Sequence, residues 1–196
     1  MRRHFRPVPG QPHPQRLLGG ESLPRLFAAC CESAFEVELG VADPPVVDYM
    51  SSLLMRFVHV DQQRPARDPE GHPLTSLREL SDEAAKRDGR PKRRLLQRIG
   101  DLTLFWTGVY PEALPKVVAL DSPDALLDLP AIGRRSYRLA AACEDDDTSK
   151  EAPLSTTATP EARPSLLQRL ADEYETCRDG LFLARRQWER LAGGTP

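Results

Sequence analysis

The sequence predicts an all-α fold, an irregular helical bundle of about five main helices with Pro-rich loops and a mobile N-terminal tail, on three observations. Apolar residues recur at three- and four-residue steps within segments dominated by Ala, Leu, Arg and Glu, which is the period of an amphipathic helix. Runs of Val and Ile are few and aromatics make up 6% of the 196 residues, so little material is present for a large sheet. The 19 prolines fall between the periodic segments, where they interrupt nothing. With 40% hydrophobic and 29% charged residues, the composition is that of an ordinary globular chain with one core.

Residues 1–20 hold Pro7, Pro9, Pro12, Pro14 and the Gly19-Gly20 pair without periodicity, and read as a flexible tail. The helical core is expected over 21–143. Ser22 is an N-cap with Pro24 in the first turn, and LFAACCESAFEVEL continues the helix to Gly40, a C-terminal stop, with Leu26, Phe27, Cys30, Ala34 and Phe35 inward. Asp43 before Pro44-Pro45 starts a second helix, VVDYMSSLLMRFVHV, whose apolar positions 46, 47, 50, 53, 54, 57 and 58 predict deep burial. After the turn-rich loop 61–74, Thr75 or Ser76 caps a polar surface helix with Leu77, Leu80 and Ala84 on its inner side, stopping near Gly89.

The central element is expected from Pro91 to Tyr110, where Pro111 removes Tyr110 from helical geometry. Its stripe, Leu95, Leu96, Ile99, Leu102, Thr103, Trp106, Val109 and Tyr110, with Phe105 beside it, makes the helix apolar around much of its circumference. Gly100 and Gly108 each cost about 1 kcal/mol relative to Ala in a helix interior, which predicts close packing against them. Pro111, Pro115, Pro123 and Pro130 limit the next stretch to short turns such as 123–129, and Gly133 precedes a helix in RRSYRLAAACEDD with Tyr137 inward. Residues 144–164 read as an exposed acidic, then Ser/Thr/Pro-rich linker, and one C-terminal helix, 165–192, is expected to pack on the core.

Charge and cysteine usage bound the function. A formal net charge of −2 creates no general attraction to nucleic acid or an anionic membrane, and no segment approaches the roughly 18–20 apolar residues of a membrane span. No apolar signal-peptide core is present near the N-terminus, so the expectation is a soluble cytoplasmic protein. Cys30, Cys31, Cys143 and Cys177 form no C-x-x-C pair, and His4, His13, His59 and His72 have no metal-ligand spacing, so neither metal nor cofactor is expected. The chain also lacks G-x-S-x-G, GxGxxG and GxxxxGK[ST] motifs.

The residues that ask for an explanation are the charges in RRLLQRIGDLTLFWTGVYPE. Arg94, Arg98, Asp101, Phe105 and Gly108 step by four, three, four and three, so they share a helix face beside the hydrophobic stripe. Asp101 can meet Arg98 one turn back, or reach Arg56, Arg134, Arg135, Arg138 or Tyr137 on neighbouring helices, with Asp48 a partner for the arginines. A partly buried ion pair fixing helix register is the architectural reading. The functional one is a polar pocket in which Arg94, Arg98, Asp101 and Tyr137 bind an anionic or polar small ligand, Arg as planar clamp and Asp as acceptor. A separate basic run, Lys86, Arg87, Arg90, Lys92, Arg93 and Arg94, could contact nucleic-acid phosphate, but Asp82, Glu83 and Asp88 are interleaved and no aromatic platform lies within it. The leading expectation is a non-enzymatic intracellular interaction or regulatory module that binds a protein partner or itself. The alternatives are a small-molecule-binding or enzymatic bundle and, third, a weak nucleic-acid binder.

Overall fold

The computed structural model describes residues 23–58, 66–114, 128–143 and 161–193, and the chain in these stretches is all-α. Seven α-helices occur among the described residues: α1 Leu23–Glu32, α2 Pro44–Val58, α3 Leu77–Ala85, α4 Gly89–Val109, α5 Leu129–Ala142, α6 Pro164–Asp172 and α7 Tyr174–Gly193. None is long and apolar enough to cross a membrane. The expected tail, His59, the stretch 115–127 and most of the 144–164 linker lie outside the described residues.

Local sequence explains most helix ends. Ser76 forms a complete capping box, its hydroxyl accepting from the Glu79 backbone N–H while the Glu79 carboxylate takes the Ser76 N–H. Gly40 adopts φ +68°, and the reversal lets Val41 N–H donate to Phe35 C=O at 2.8 Å, the stop expected there. Before that stop α1 departs from expectation: it ends at Glu32, and Ser33–Glu38 widens into a π-helical turn that turns Ala34 and Phe35 inward while leaving Glu36, Val37 and Glu38 exposed.

Three other boundaries differ from the sequence reading. α4 begins at Gly89, two residues before Pro91. α5 starts at Leu129, because Asp128 caps it by accepting from the Ala131 N–H, and Gly133 sits inside the helix where Thr103 and Tyr174 press against it. The single C-terminal helix is two, broken at Glu173, with α6 starting at Pro164.

α4 is central, flanked by α3, α5 and α7 and touched by α2. Its glycines are the crossing points. A Cβ on Gly100 would lie 2.6 Å from the Tyr137 ring, and one on Gly108 would lie 3.0 Å from Leu181 Cβ and from the Arg178 carbonyl. One hydrophobic cluster joins all seven helices, with Phe27, Phe35, Met50, Leu53, Leu104, Tyr137, Leu170 and Leu181 fully buried. Leu102, Trp106 and Tyr110, read as part of the inward stripe, are only half-buried; Gly100, Leu104 and Gly108 take the inner positions instead.

Candidate functional site

Three helices, α2, α4 and α5, converge on Asp101. It is 3% exposed, and its carboxylate is filled by protein donors: Tyr49 Oη donates to Oδ1 at 2.5 Å, Tyr137 Oη to the same oxygen at 2.7 Å, and Arg56 Nη2 to Oδ2 at 3.1 Å. Because the Tyr49 proton goes to Asp101, the Tyr49 oxygen accepts, and Gln97 Nε2 donates to it at 3.0 Å. That fixes the Gln97 amide, whose Oε1 takes the Ala162 backbone N–H at 3.1 Å. A directed chain thus runs from the segment before α6, through α4, to α2 and α5.

The electrostatics follow from burial and charge. Burial, reinforced by the Asp101 carboxylate, raises the Tyr49 and Tyr137 phenols well above the ordinary tyrosine range, so both remain donors. At Arg56 burial opposes the charge, but the Asp101 carboxylate outweighs it and the guanidinium is held in its charged form. Arg56 also lies over the Tyr49 ring, 5.0 Å from its centroid.

Of the expected site residues, Asp101 and Tyr137 meet, whereas Arg98 does not join them by a hydrogen bond. The arginine on Asp101 is Arg56, one helix away. Arg98 is half-buried and its guanidinium makes neither a hydrogen bond nor an ion pair among the described residues; burial lowers its pKa, the Asp101 charge only partly opposing this. Arg134 and Arg135 are exposed, and Arg138 lies 3.5 Å from Asp172. Tyr49 and Gln97 escaped sequence reading. Tyr49 sits between Val46 and Leu53 in a buried stripe, and a hydroxyl there demands a partner. Gln97 shares a face with Arg93, Gly100 and Leu104, which could have marked it as buried rather than solvated.

The basic run is distributed among acidic partners. Lys86 and Arg87 pair with Glu83, and Lys92 with Asp88. Glu161 faces three arginines: Arg90 at 2.6 Å, Arg94 at 3.5 Å and Arg93 at 3.7 Å. Arg93, 3% exposed, also donates to the Cys143 carbonyl at 2.5 Å. The end of the expected linker is therefore docked, with Ala162 buried, because Glu161 brings the carboxylate that the arginines of α4 need. The acidic run 144–147 lies outside the described residues.

A second cluster borders Arg98. The Phe57 ring stacks on Phe105 with centroids 4.1 Å apart, Trp106 and Tyr110 meet Phe105 edge-on, and Arg185 lies over Tyr110. Phe57, Leu102, Trp106 and Tyr110 are each partly exposed, so an aromatic face, with Arg98 on its edge, runs along α4 and the end of α2. Among the described residues no group of three or more His, Cys, Asp or Glu side chains is placed to hold a metal. No known family, curated protein or solved structure matches this chain.

Proposed function

We propose that this protein is a helical interaction module that binds a protein partner through the half-exposed aromatic face of α4 and α2. The observation that supports this reading is the placement of Arg98, half-buried and without a hydrogen bond or ion pair among the described residues, one helical turn before Leu102 on the surface that carries Trp106, Tyr110 and Phe57. Trp, Tyr and Arg are the residue types that dominate binding energy at protein interfaces, and a partly desolvated guanidinium gains most from a carboxylate that arrives with an apolar surface. The competing small-molecule reading needs an open acceptor at Asp101, and three protein donors already occupy that carboxylate. The nucleic-acid reading needs free positive charge along 86–94, where carboxylates stand against each side chain.

Photo-crosslinking in the cells that make the protein tests the proposal. A crosslinker at Leu102 is expected to give a discrete adduct that is absent with the crosslinker at the exposed Ser165 and lost in Arg98→Glu. Identical products from both positions, or none from Leu102, would overturn it.

A further inference from the structure

The π-helical turn presents an unusual surface. Val37 is 79% exposed, the highest value among the large apolar side chains of the described residues, and exposed carboxylates, Glu36 and Glu38, stand on either side of it. The turn is firmly seated. Phe35 packs beneath it against Gly180, and Gln187 Nε2 bridges Ser33 Oγ at 3.0 Å and Glu38 Oε1 at 2.6 Å. An apolar side chain held out on a braced turn, between two acids, is the inverse of the α4 face, where an arginine that makes no ion pair among the described residues stands on the same helix face as half-exposed rings.

We propose that the occupant of the α4 face is a second copy of this chain, docking its Glu36-Val37-Glu38 turn there. Val37 packs against Leu102 and Trp106, and Glu36 or Glu38 supplies the carboxylate for Arg98. This rests on the reading of that face as a binding surface. Knob and socket are different patches of one molecule, so the contact is heterologous: copies join head to tail and the assembly stays open unless the rotation closes a ring. The contact is small, which makes the association weak and concentration-dependent.

Sedimentation of the full chain from low micromolar to near-millimolar concentration tests the proposal. The weight-average mass is expected to rise past that of a dimer. Val37→Asp, at a site too exposed to disturb folding, should weaken association by roughly tenfold or more, and Arg98→Glu should do the same. An equimolar mixture of the two variants keeps one intact knob and one intact socket, and should stop at dimers. A chain that stays monomeric throughout, or an assembly unaffected by Val37→Asp, would overturn self-docking. If the chain is monomeric yet Leu102 crosslinks to a protein of another mass, self-docking fails and the binding face stands; if neither occurs, both readings fall.

Discussion

The ring of Tyr137 lies across Gly100, and the same side chain donates from its hydroxyl to Asp101, the next residue of α4, at 2.7 Å. One tyrosine on α5 therefore reads both the missing Cβ and the buried charge of its neighbour, which locks the α4–α5 crossing in position and register.

Gly100→Ala should be destabilising although Ala is the better helix former. The added methyl meets an aromatic ring held by its hydrogen bond, so overpacking of about 1–3 kcal/mol outweighs the gain in propensity of about 1 kcal/mol. Thermal unfolding should show a midpoint several degrees lower, at about 2–4 °C per kcal/mol for this size. Gly40→Ala is the contrast: nothing lies within 4 Å, and only the positive φ is strained, so a loss of about 1–2 kcal/mol is expected there.

Asp101→Asn leaves Arg56 facing an amide in a buried site, and the loss of a buried charge partner costs about 3 kcal/mol. Tyr137→Phe removes one of three donors and costs about 1–2 kcal/mol. Denaturant unfolding of the two variants should therefore rank Asp101→Asn as the more damaging, and equal stabilities of the variants would show that the Arg56 pair is energetically idle.

Alkaline pH should unfold the protein cooperatively. All four tyrosines, Tyr49, Tyr110, Tyr137 and Tyr174, have pKa values raised by burial, that of Tyr174 to about 12. In the unfolded chain they ionise near pH 10. The unfolded state thus sheds protons first, so the stability is fully present below about pH 10 and is lost as pH rises toward the folded-state values. Phenolate absorbance should appear only together with loss of helical ellipticity.

Thiol labelling should separate the cysteines. Burial raises all four thiols, that of Cys177 to about 12, but Cys143 alone is only half-buried. A disulfide reagent should modify Cys143 alone in the native protein and all four cysteines in denaturant; rapid native labelling of Cys177 would contradict the packing of α7.

Glu161→Ala should expose the charge of Arg90, Arg93 and Arg94. The variant is expected to bind a polyanion column more tightly than the parent, with retention that falls steeply as salt rises. Unchanged retention would mean that Glu161 does not mask these arginines.

The helices and their caps were legible in the sequence because their causes are local. Ser76, Gly40 and the Pro44-Pro45 start act within a turn or two of chain. So was the special character of Gly100 and Gly108, since a glycine inside a helix needs a packing reason. The split at Glu173, the π-helical turn after Glu32 and the docking of Glu161-Ala162 were not, because each answers to a surface on another element.

The sequence by itself determined that this chain is helical and where its main helices lie, because helix period and capping are short-range effects. Only the tertiary structure decided which arginine meets Asp101. Arg98, three residues away on the same helix, is bypassed, and Arg56 reaches in from α2 with Tyr49 and Tyr137 beside it. The physical reason is desolvation: a carboxylate this buried is stable only where several donors converge, and that convergence depends on how α2, α4 and α5 cross rather than on spacing along any one of them.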